Sequence, residues 1–206
     1  MTDARGREHP SPARLQSVAL ASVSPRRRFL LETLGLDVVT VATSYDERSH
    51  AGEHRDPAEL VQAHAIGKAA AAAQHGPRVL VAADTAVVIE SEVLGKPHDV
   101  REARAMLRRL AGRTHAVHTG FAVVDRQTGN RESGVESAHV TFLPMSDDEI
   151  ARYVATGEPL DKAGAYGIQG HGALFVASIM GDFYTVMGLP LARLGRAFSS
   201  LGYELL

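Results

Sequence analysis

Apolar residues along the chain fall into two patterns, short continuous runs and stripes at helical spacing. Residues 18–21 form a short apolar run typical of a strand, and residues 79–83 form a run of the length expected for a strand that is buried on both faces. Two longer segments, residues 115–125 and 135–143, flank a Gln-Thr-Gly-Asn turn, which is typical of an antiparallel hairpin. Because parallel and hairpin signals occur together with helical stripes, the pattern predicts an α/β fold with a mixed sheet flanked by helices.

Polar residues at capping positions divide the chain into elements. The first unit is a strand and a helix over residues 15–34, and a second strand follows over residues 36–41. Capping boxes begin helices at Asp56 and at Ser146, and the first of these, rich in alanine, is expected to run to about Gln74. The other predicted elements are a strand at 86–89, a helix from Asp99, a strand at 174–176 and a helix from Pro190.

Composition limits the classes of protein. The 206-residue chain is 45% hydrophobic and 22% charged, which is ordinary for one globular domain. Its formal net charge of -2 argues against a broad positively charged surface that could bind polyanions, so we expect no stable nucleic-acid partner. Cysteine is absent and no apolar run approaches the roughly 20 residues of a membrane span, which fits a cytoplasmic protein. Residues 1–14 lack an apolar core, so we expect a disordered extension before one domain over residues 15–206.

Three arginines, residues 26–28, follow Ser22, Ser24 and Pro25 at the predicted start of the first helix. Ser24 as N-cap and Pro25 at the first position suit a helix start, but the arginines oppose the positive end of the helix dipole. Hydroxyls, free backbone N–H groups and guanidinium groups at one helix start could form a phosphate cradle. The alternative is that the arginines are solvated surface charges.

Asp84 and Thr85 come directly after the buried run at 79–83. A carboxylate there is costly unless it meets a cation, a hydrogen-bond donor or water, and ligands collect beyond the carboxyl ends of strands in open α/β sheets. We therefore interpret Asp84 as a site residue, with a turn cap as the alternative. Lys96 lies beyond the next turn and could face the same cleft, although taken alone the sequence favours an ordinary exposed lysine.

Residues 161–170 form a Gly-rich loop in which the backbone can approach a ligand closely. Gln169 offers both a donor and an acceptor, which suits recognition of a nucleobase edge, and a structural turn is the alternative. The sequence contains no P-loop, no dinucleotide-binding glycine motif and no serine-hydrolase elbow. His115 and His118, three apart in one predicted strand, point to opposite faces, which argues against a shared metal site.

Together these motifs resemble one known family. The stretches that carry the resemblance are Ala21-Ser-Val-Ser-Pro-Arg-Arg27, Ala83-Asp-Thr85, Leu94-Gly-Lys-Pro97, Gly112-Arg-Thr-His115, Asp161-Lys-Ala-Gly-Ala-Tyr-Gly-Ile-Gln-Gly170 and Gly188-Leu-Pro190. In order and spacing they are similar to the Maf-like nucleoside triphosphate pyrophosphatases, from about Val18 onward. The Gly-rich stretch resembles the subgroup that acts on dTTP and UTP rather than the subgroup that prefers 7-methyl-GTP. Val23 replaces a glycine that is often found in the family.

The resemblance implies a fold and an activity. The fold is a strongly twisted mixed sheet flanked by helices, with two lobes around a nucleotide cleft as in inosine triphosphate pyrophosphatases, and often a homodimer. The reaction is hydrolysis of dTTP, UTP or modified pyrimidine nucleotides to the monophosphate and pyrophosphate, with Mg²⁺ or Mn²⁺ as cofactor. Two alternatives stay open, a pyrophosphatase of the 7-methyl-GTP type and a non-catalytic nucleotide-binding regulator of cell division.

The resemblance also implies roles for individual residues. Those for substrate binding are Ser22, Arg26, Arg27, Thr85 and, toward the base, Gln169. The implied catalytic residues are Lys68, Asp84 and Lys96, and the implied metal ligands are Asp84 and Glu47. Asp84 could act as general base, as metal ligand or as both. We expect Asp84→Asn to abolish turnover and leave the fold intact.

Overall fold

A computed structural model describes residues 13–47 and 56–206. Its main sheet has seven strands, namely β2 Ser17–Leu20, β3 Asp37–Thr40, β4 Val79–Ile89, β5 Glu92–Leu94, β6 Thr114–Asp125, β7 Arg131–Phe142 and β8 Val176–Met180. Their order is β3-β2-β4-β6-β7-β8, with β5 paired to β4 off this path. A separate pair consists of β1 Ala13–Arg14 and β9 Tyr203–Glu204. The helices are α1 Pro25–Thr33, α2 Pro57–Ala70, α3 Val100–Leu110, α4 Asp147–Ala155, α5 Phe183–Met187 and α6 Leu191–Ser200.

Strand directions make the sheet mixed, as predicted. β2 is parallel to both β3 and β4, whereas β4, β6, β7 and β8 form an antiparallel series. Parallel pairing with β2 involves only the beginning of β4, at Leu20 opposite Val81 and the residue before it. β4 therefore continues beyond the carboxyl end of β2, where an open α/β sheet offers room for a ligand.

β4 is one strand of 11 residues, and this corrects the predicted division into strands at 79–83 and 86–89. Asp84 and Thr85 lie within the ladder, opposite Gly120 and Thr119 of β6. The sequence suggested a break because two polar residues interrupt an apolar run. Pairing with β6 satisfies the backbone at these positions, so the strand continues and Asp84 lies in its middle.

α2 begins as predicted, because the Asp56 side chain accepts a hydrogen bond from the Ala58 backbone N–H. It ends at Ala70 rather than near Gln74. The following alanines leave the helix because they pair with the chain after β3, where the Ala73 N–H donates to the carbonyl of residue 42 over 2.8 Å. The second predicted capping box, at Ser146, is present at the start of α4.

The core has two parts, on opposite faces of the main sheet. The larger part packs leucine, valine and aromatic residues between the sheet and most of the helices, among them Leu31, Leu107, Phe142 and Phe198. The smaller part lies under α2 and consists mainly of alanine. Small side chains at this face allow α2 to approach the strands closely.

The edges of the predicted domain differ slightly from expectation. Ala13 and Arg14, which the sequence places in an extension over residues 1–14, form β1 and pair in parallel with β9. The remainder of that predicted extension lies outside the described residues. The strand predicted at 174–176 is instead a 3-10 turn over His171–Phe175 that leads into β8. None of the described helices is long and apolar enough to cross a membrane.

Candidate active site

Asp84 lies at the centre of a cluster of charged side chains between β4 and α2. The Lys68 ammonium is 2.8 Å from Asp84 Oδ1 and 2.5 Å from Glu47 Oε1, so it lies between two carboxylates. Burial raises the pKa of the Asp84 carboxyl, but the His64 hydrogen bond and the charges of Lys68 and Arg27 outweigh it, and the pKa falls to about 2. Asp84 is therefore ionised, and 16% of its side chain remains accessible to a ligand.

His64 belongs to the same cluster, although the sequence analysis did not select it. Its Nδ1 is 3.0 Å from Asp84 Oδ2, and the residue is buried. His64 and Lys68 are four residues apart on α2, so both face the strand from adjacent turns of one helix. The four-residue spacing is visible in the sequence, but the sequence does not show that both side chains contact Asp84.

Close packing of α2 on the sheet brings these residues to Asp84. Gly120, opposite Asp84 in β6, has no side chain to separate the helix from the sheet. A Cβ atom at this position would overlap the backbone carbonyl of Val61. Glu47 reaches the cluster from the loop after β3, which is attached to α2 where Thr43 Oγ1 donates to the carbonyl of Lys68 over 3.1 Å.

Arg27 is buried and bonds to three separate parts of the chain. Its Nη1 donates to Ser22 Oγ over 3.1 Å, its Nη2 to Thr85 Oγ1 over 3.0 Å, and its Nε to the carbonyl of Gly188 over 2.9 Å. Burial lowers the pKa of the Arg27 guanidinium, against the opposing effect of the Asp84 charge. Each guanidinium nitrogen already donates within the protein, so the side chain acts first as an internal connection.

The hydroxyl groups beside Arg27 have different capacities to donate. Thr119 Oγ1 donates to the carbonyl of Thr185, so in its 2.9 Å contact with Thr85 the proton comes from Thr85. Ser22 Oγ instead accepts twice, from Arg27 and from the Ser24 backbone N–H, and its own proton has no acceptor within residues 13–47 and 56–206. Ser22 can donate to a bound anion, whereas the proton of Thr85 is already used.

The start of α1 faces the same region. Ser24 is the N-cap residue but makes no side-chain capping bond, and Pro25 occupies the first turn as predicted. Arg26 is half-buried, and its charge acts on Asp161, at the start of the Gly-rich loop. Arg28 points away and pairs with Glu32 over 2.7 Å at the surface. Of the three arginines, Arg26 is therefore the best placed to meet an anion.

Lys96 and Gln169 lie on segments that contact each other. The Gly164 N–H donates to the Gly95 carbonyl over 3.1 Å, which joins the chain after β5 to the Gly-rich loop. Gly164 has a φ of 68° and packs against Val87 of β4, where a Cβ atom would be too close. The side chains of Lys96 and Gln169 are exposed. The segment of Lys96 follows β5, which pairs with β4, and Gly164 packs on β4, but no hydrogen bond or ion pair among the described residues joins Lys96 or Gln169 to Asp84.

Glu158 anchors the chain at the end of the Gly-rich loop, and nothing in its own stretch of sequence marks it as a site residue. Its carboxylate accepts from the Tyr153 hydroxyl over 2.8 Å and from the backbone N–H groups of His171 and Gly172 over 2.8 and 3.1 Å. Burial raises the pKa of Glu158, and these bonds outweigh it, so the pKa is lowered. Gln169 lies directly before the segment that the carboxylate fixes.

Glu47, His64 and Asp84 form the one group of three metal-binding residue types close enough to share an ion within residues 13–47 and 56–206. One ligand atom from each lies within 4.8 Å of the others. Two carboxylates suit Mg²⁺ or Mn²⁺, which take oxygen ligands and complete their coordination with water or substrate phosphates. The Glu47 and Asp84 carboxylates therefore fit such an ion. His115 and His118 point to opposite faces as predicted, toward Tyr166 and Ser137 respectively.

Comparison with known proteins identifies the family. The model of the family described as Maf-like protein matches residues 17–201, which is most of the chain. The chain belongs to the Maf family. This result agrees with the resemblance found in the sequence and with the mixed sheet flanked by helices.

Curated relatives of this Maf protein share one name, dTTP/UTP pyrophosphatase. The protein of that name from Dictyoglomus thermophilum is 45% identical over 192 residues, covering 93% of this chain and 99% of the relative. Those from Symbiobacterium thermophilum and Moorella thermoacetica are each 48% identical over 193 residues, covering 93% and 92% of this chain and 97% of each relative. These lengths of match include every site residue described above.

Proposed function

We propose that this Maf protein hydrolyses dTTP and UTP between the α- and β-phosphates, giving the monophosphate and pyrophosphate. The observation that carries the proposal is an ionised, partly accessible Asp84 among cationic side chains, in a chain 43–48% identical to dTTP/UTP pyrophosphatases. Phosphoryl transfer needs positioning and neutralisation of charge more than covalent chemistry, and this site offers both.

The roles of the side chains follow from their surroundings. Arg26 and Lys96 are accessible cations that can neutralise phosphate charge, and Ser22 has a proton to donate to a phosphate oxygen. Asp84 accepts only, because it is ionised, so it can orient an attacking water or take its proton. Lys68 keeps Asp84 ionised and balances Glu47.

Glu47 and Asp84 would hold Mg²⁺ or Mn²⁺, because carboxylates are the ligands that these ions prefer. A bound ion supplies positive charge to phosphate oxygens and lowers the pKa of a coordinated water. Chelation with EDTA is expected to abolish turnover and to lower the melting temperature only by the free energy of ion binding, with the protein still folded, since Lys68 already balances part of the carboxylate charge. Turnover that persists at full rate in EDTA would contradict the metal requirement.

Gln169 is proposed to contact the base, because its exposed amide presents a donor and an acceptor on a loop that Glu158 and Gly164 hold in place. The exposed position alone does not select a pyrimidine. The selectivity of the proposal for dTTP and UTP rests on the names of the relatives.

Product analysis with a panel of triphosphates tests the proposed activity. The protein is incubated with Mg²⁺ and UTP, dTTP, CTP, GTP, ATP or 7-methyl-GTP, and the products are separated by ion-exchange chromatography. UMP and dTMP with pyrophosphate are expected, and the folded Asp84→Asn variant is expected to be inactive. Release of orthophosphate would indicate cleavage between the β- and γ-phosphates, and tight binding without turnover would favour a nucleotide-binding regulator.

The homodimer that the resemblance implies and the cytoplasmic location that the composition fits stay predictions. Sedimentation velocity at several protein concentrations tests the first, and fractionation of cells that produce the protein tests the second.

A further inference from the structure

His64 lies beside the proposed catalytic acid and has no role in the function described above. Its side chain is 8% exposed, and its ring packs edge-on against Tyr45 with the centroids 5.8 Å apart. Nδ1 is 3.0 Å from Asp84 Oδ2. Asp84 Oδ1 meets Lys68 instead, so each carboxylate oxygen has its own partner, and both partners come from α2.

The direction of this hydrogen bond follows from the charge of Asp84. An ionised carboxylate can only accept, so His64 Nδ1 carries the proton and donates it. The other ring nitrogen, Nε2, is buried and finds no hydrogen-bond partner among the described residues.

We propose that His64 is a positioning residue that fixes the Asp84 carboxylate in the orientation needed for hydrolysis, which rests on the proposed role of Asp84. Lys68 cannot do this alone, because its long flexible chain also serves Glu47. The His64 ring has two torsions and is packed against Tyr45. With both oxygens held, the carboxylate plane is set before a substrate arrives.

Direct binding of a metal ion by His64 is the competing role. In the structure neither ring nitrogen is available for it, because Nδ1 is bonded to Asp84 and Nε2 is shielded from solvent. A ligand role would require the bond to Asp84 to break. The geometry therefore favours action through Asp84.

Three substitutions of His64 separate the N–H group from the bulk of the ring. His64→Leu and His64→Ala remove the donor. His64→Asn places an amide N–H near the position of Nδ1. The kinetic constants for UTP with Mg²⁺, the melting temperature and the binding of Mn²⁺ alone, followed by electron paramagnetic resonance, are measured for each variant. His75→Leu, at an exposed histidine, is the matched control.

The donor-free variants are expected to lose about 10- to 100-fold in kcat, the range typical for partners that orient a ligating or catalytic group. KM should change little, because His64 does not face the substrate directly. Mn²⁺ binding should weaken in the donor-free variants. His64→Asn should restore most of both losses, which a role in packing alone would not predict, and His75→Leu should behave like the wild type.

Equal losses in His64→Asn and His64→Leu, or no loss in a folded donor-free variant, would overturn the proposal. If His64→Leu fails to fold, the comparison of His64→Ala with His64→Asn decides. The wild-type protein in the same assay tests the proposed function separately, since absence of UMP and pyrophosphate would refute that function. In that event the Mn²⁺ measurements still show whether the N–H group orients Asp84.

Discussion

Arg26, Arg27 and Arg28 are consecutive in the chain and meet three different environments. Arg26 is half-buried beside the Gly-rich loop, and Arg28 is paired with Glu32 at the surface. Arg27 is buried, with its guanidinium bonded to Ser22, to Thr85 and to the Gly188 carbonyl. Because successive residues of a helix point in different directions, these three arginines of α1 face different surroundings and can have different functions.

Replacement of Arg27 by Lys is expected to destabilise the protein. An ammonium cannot reach three acceptors in fixed directions, so at least one or two hydrogen bonds are lost and the free energy of unfolding should fall by about 2–4 kcal/mol. Arg26→Lys, the matched control, should change stability by less than about 0.5 kcal/mol and raise KM for UTP. Guanidinium denaturation followed by circular dichroism provides the first measurement and initial rates the second. Equal stability of the two variants would contradict an internal role for Arg27.

Residues that break a local rule could be selected from the sequence without any resemblance, whereas Glu47 and Lys68 were implied by the resemblance alone. Asp84 stands out because a carboxylate interrupts an apolar run, and the arginines stand out at a helix start. His64 breaks no rule in an alanine-rich helix, and its partner is 20 residues away in the chain. Glu158 is similar, since its acceptors are used by backbone N–H groups that only the folded loop brings near.

At the scale of elements, the site depends on how closely α2 approaches the sheet. The contact is made by alanines and by Gly120, whose missing side chain leaves room for the backbone at Val61. This close contact between α2 and the sheet fixes the distances of His64 and Lys68 from Asp84. Stability and activity should therefore respond together to changes here.

Gly120→Ala is expected to push α2 away from β6. Overpacking of this kind typically costs about 1–3 kcal/mol, and displacement of Lys68 and His64 from Asp84 should lower kcat as well. The control is Gly195→Ala in α6, where a Cβ atom meets nothing within 4 Å and alanine should stabilise the helix by about 0.5–1 kcal/mol. Urea denaturation and UTP hydrolysis are measured for both. Gly120→Ala with unchanged kcat would show that the close approach does not position the site.

Glu158→Gln is expected to loosen the Gly-rich loop without changing its size. The neutral amide offers one acceptor oxygen in place of two. The backbone N–H groups of His171 and Gly172, which bond to different oxygens of Glu158, can then no longer both be accepted in the same way. Hydrogen exchange at those two amides should become faster, and KM for UTP should rise while the rest of the chain keeps its protection. Unchanged exchange would show that the carboxylate does not hold this loop.

Most of the elements could be predicted because their signals are local. Capping residues begin α2 and α4 as expected, and the 3.6-residue stripe of α3 faces the core. The errors occurred where a distant strand decided the outcome. β6 keeps β4 continuous through Asp84, and pairing with the chain after β3 ends α2 early. Local propensity carries no information about either contact.

At the scale of the whole molecule, Asp125 ties together parts of the chain that are far apart in sequence. Its carboxylate accepts from Arg78 twice, over 2.9 and 2.7 Å, and from the Tyr203 hydroxyl over 3.0 Å. The backbone N–H groups of Gln127 and Thr128 donate to it as well. One buried acid thus joins the chain before β4, the turn after β6 and strand β9.

Protonation of Asp125 at low pH is expected to weaken its hydrogen bonds to Arg78 and to the backbone and so to destabilise the protein. The hydrogen bonds from Arg78 hold the pKa of Asp125 well below its usual range, despite the burial that raises it. Because the folded pKa is depressed, the contribution of Asp125 to stability is complete above about pH 4, the pKa of an unfolded Asp, and is lost as the pH falls further. Asp125→Asn should be less stable than the wild type at pH 7, and the difference between the two urea midpoints should shrink below about pH 4. A difference that stays constant with pH would contradict this role.

The Lys68 ammonium lies between two carboxylates, so one of their two charges is balanced from within the chain. We therefore expect this site to fold without a divalent cation, in contrast to domains whose ligands are assembled only by their metal. In a cell deprived of metal, we expect such a protein to stop turning over while it stays folded and resistant to proteases. Resupply would then restore activity from molecules already made, without new synthesis.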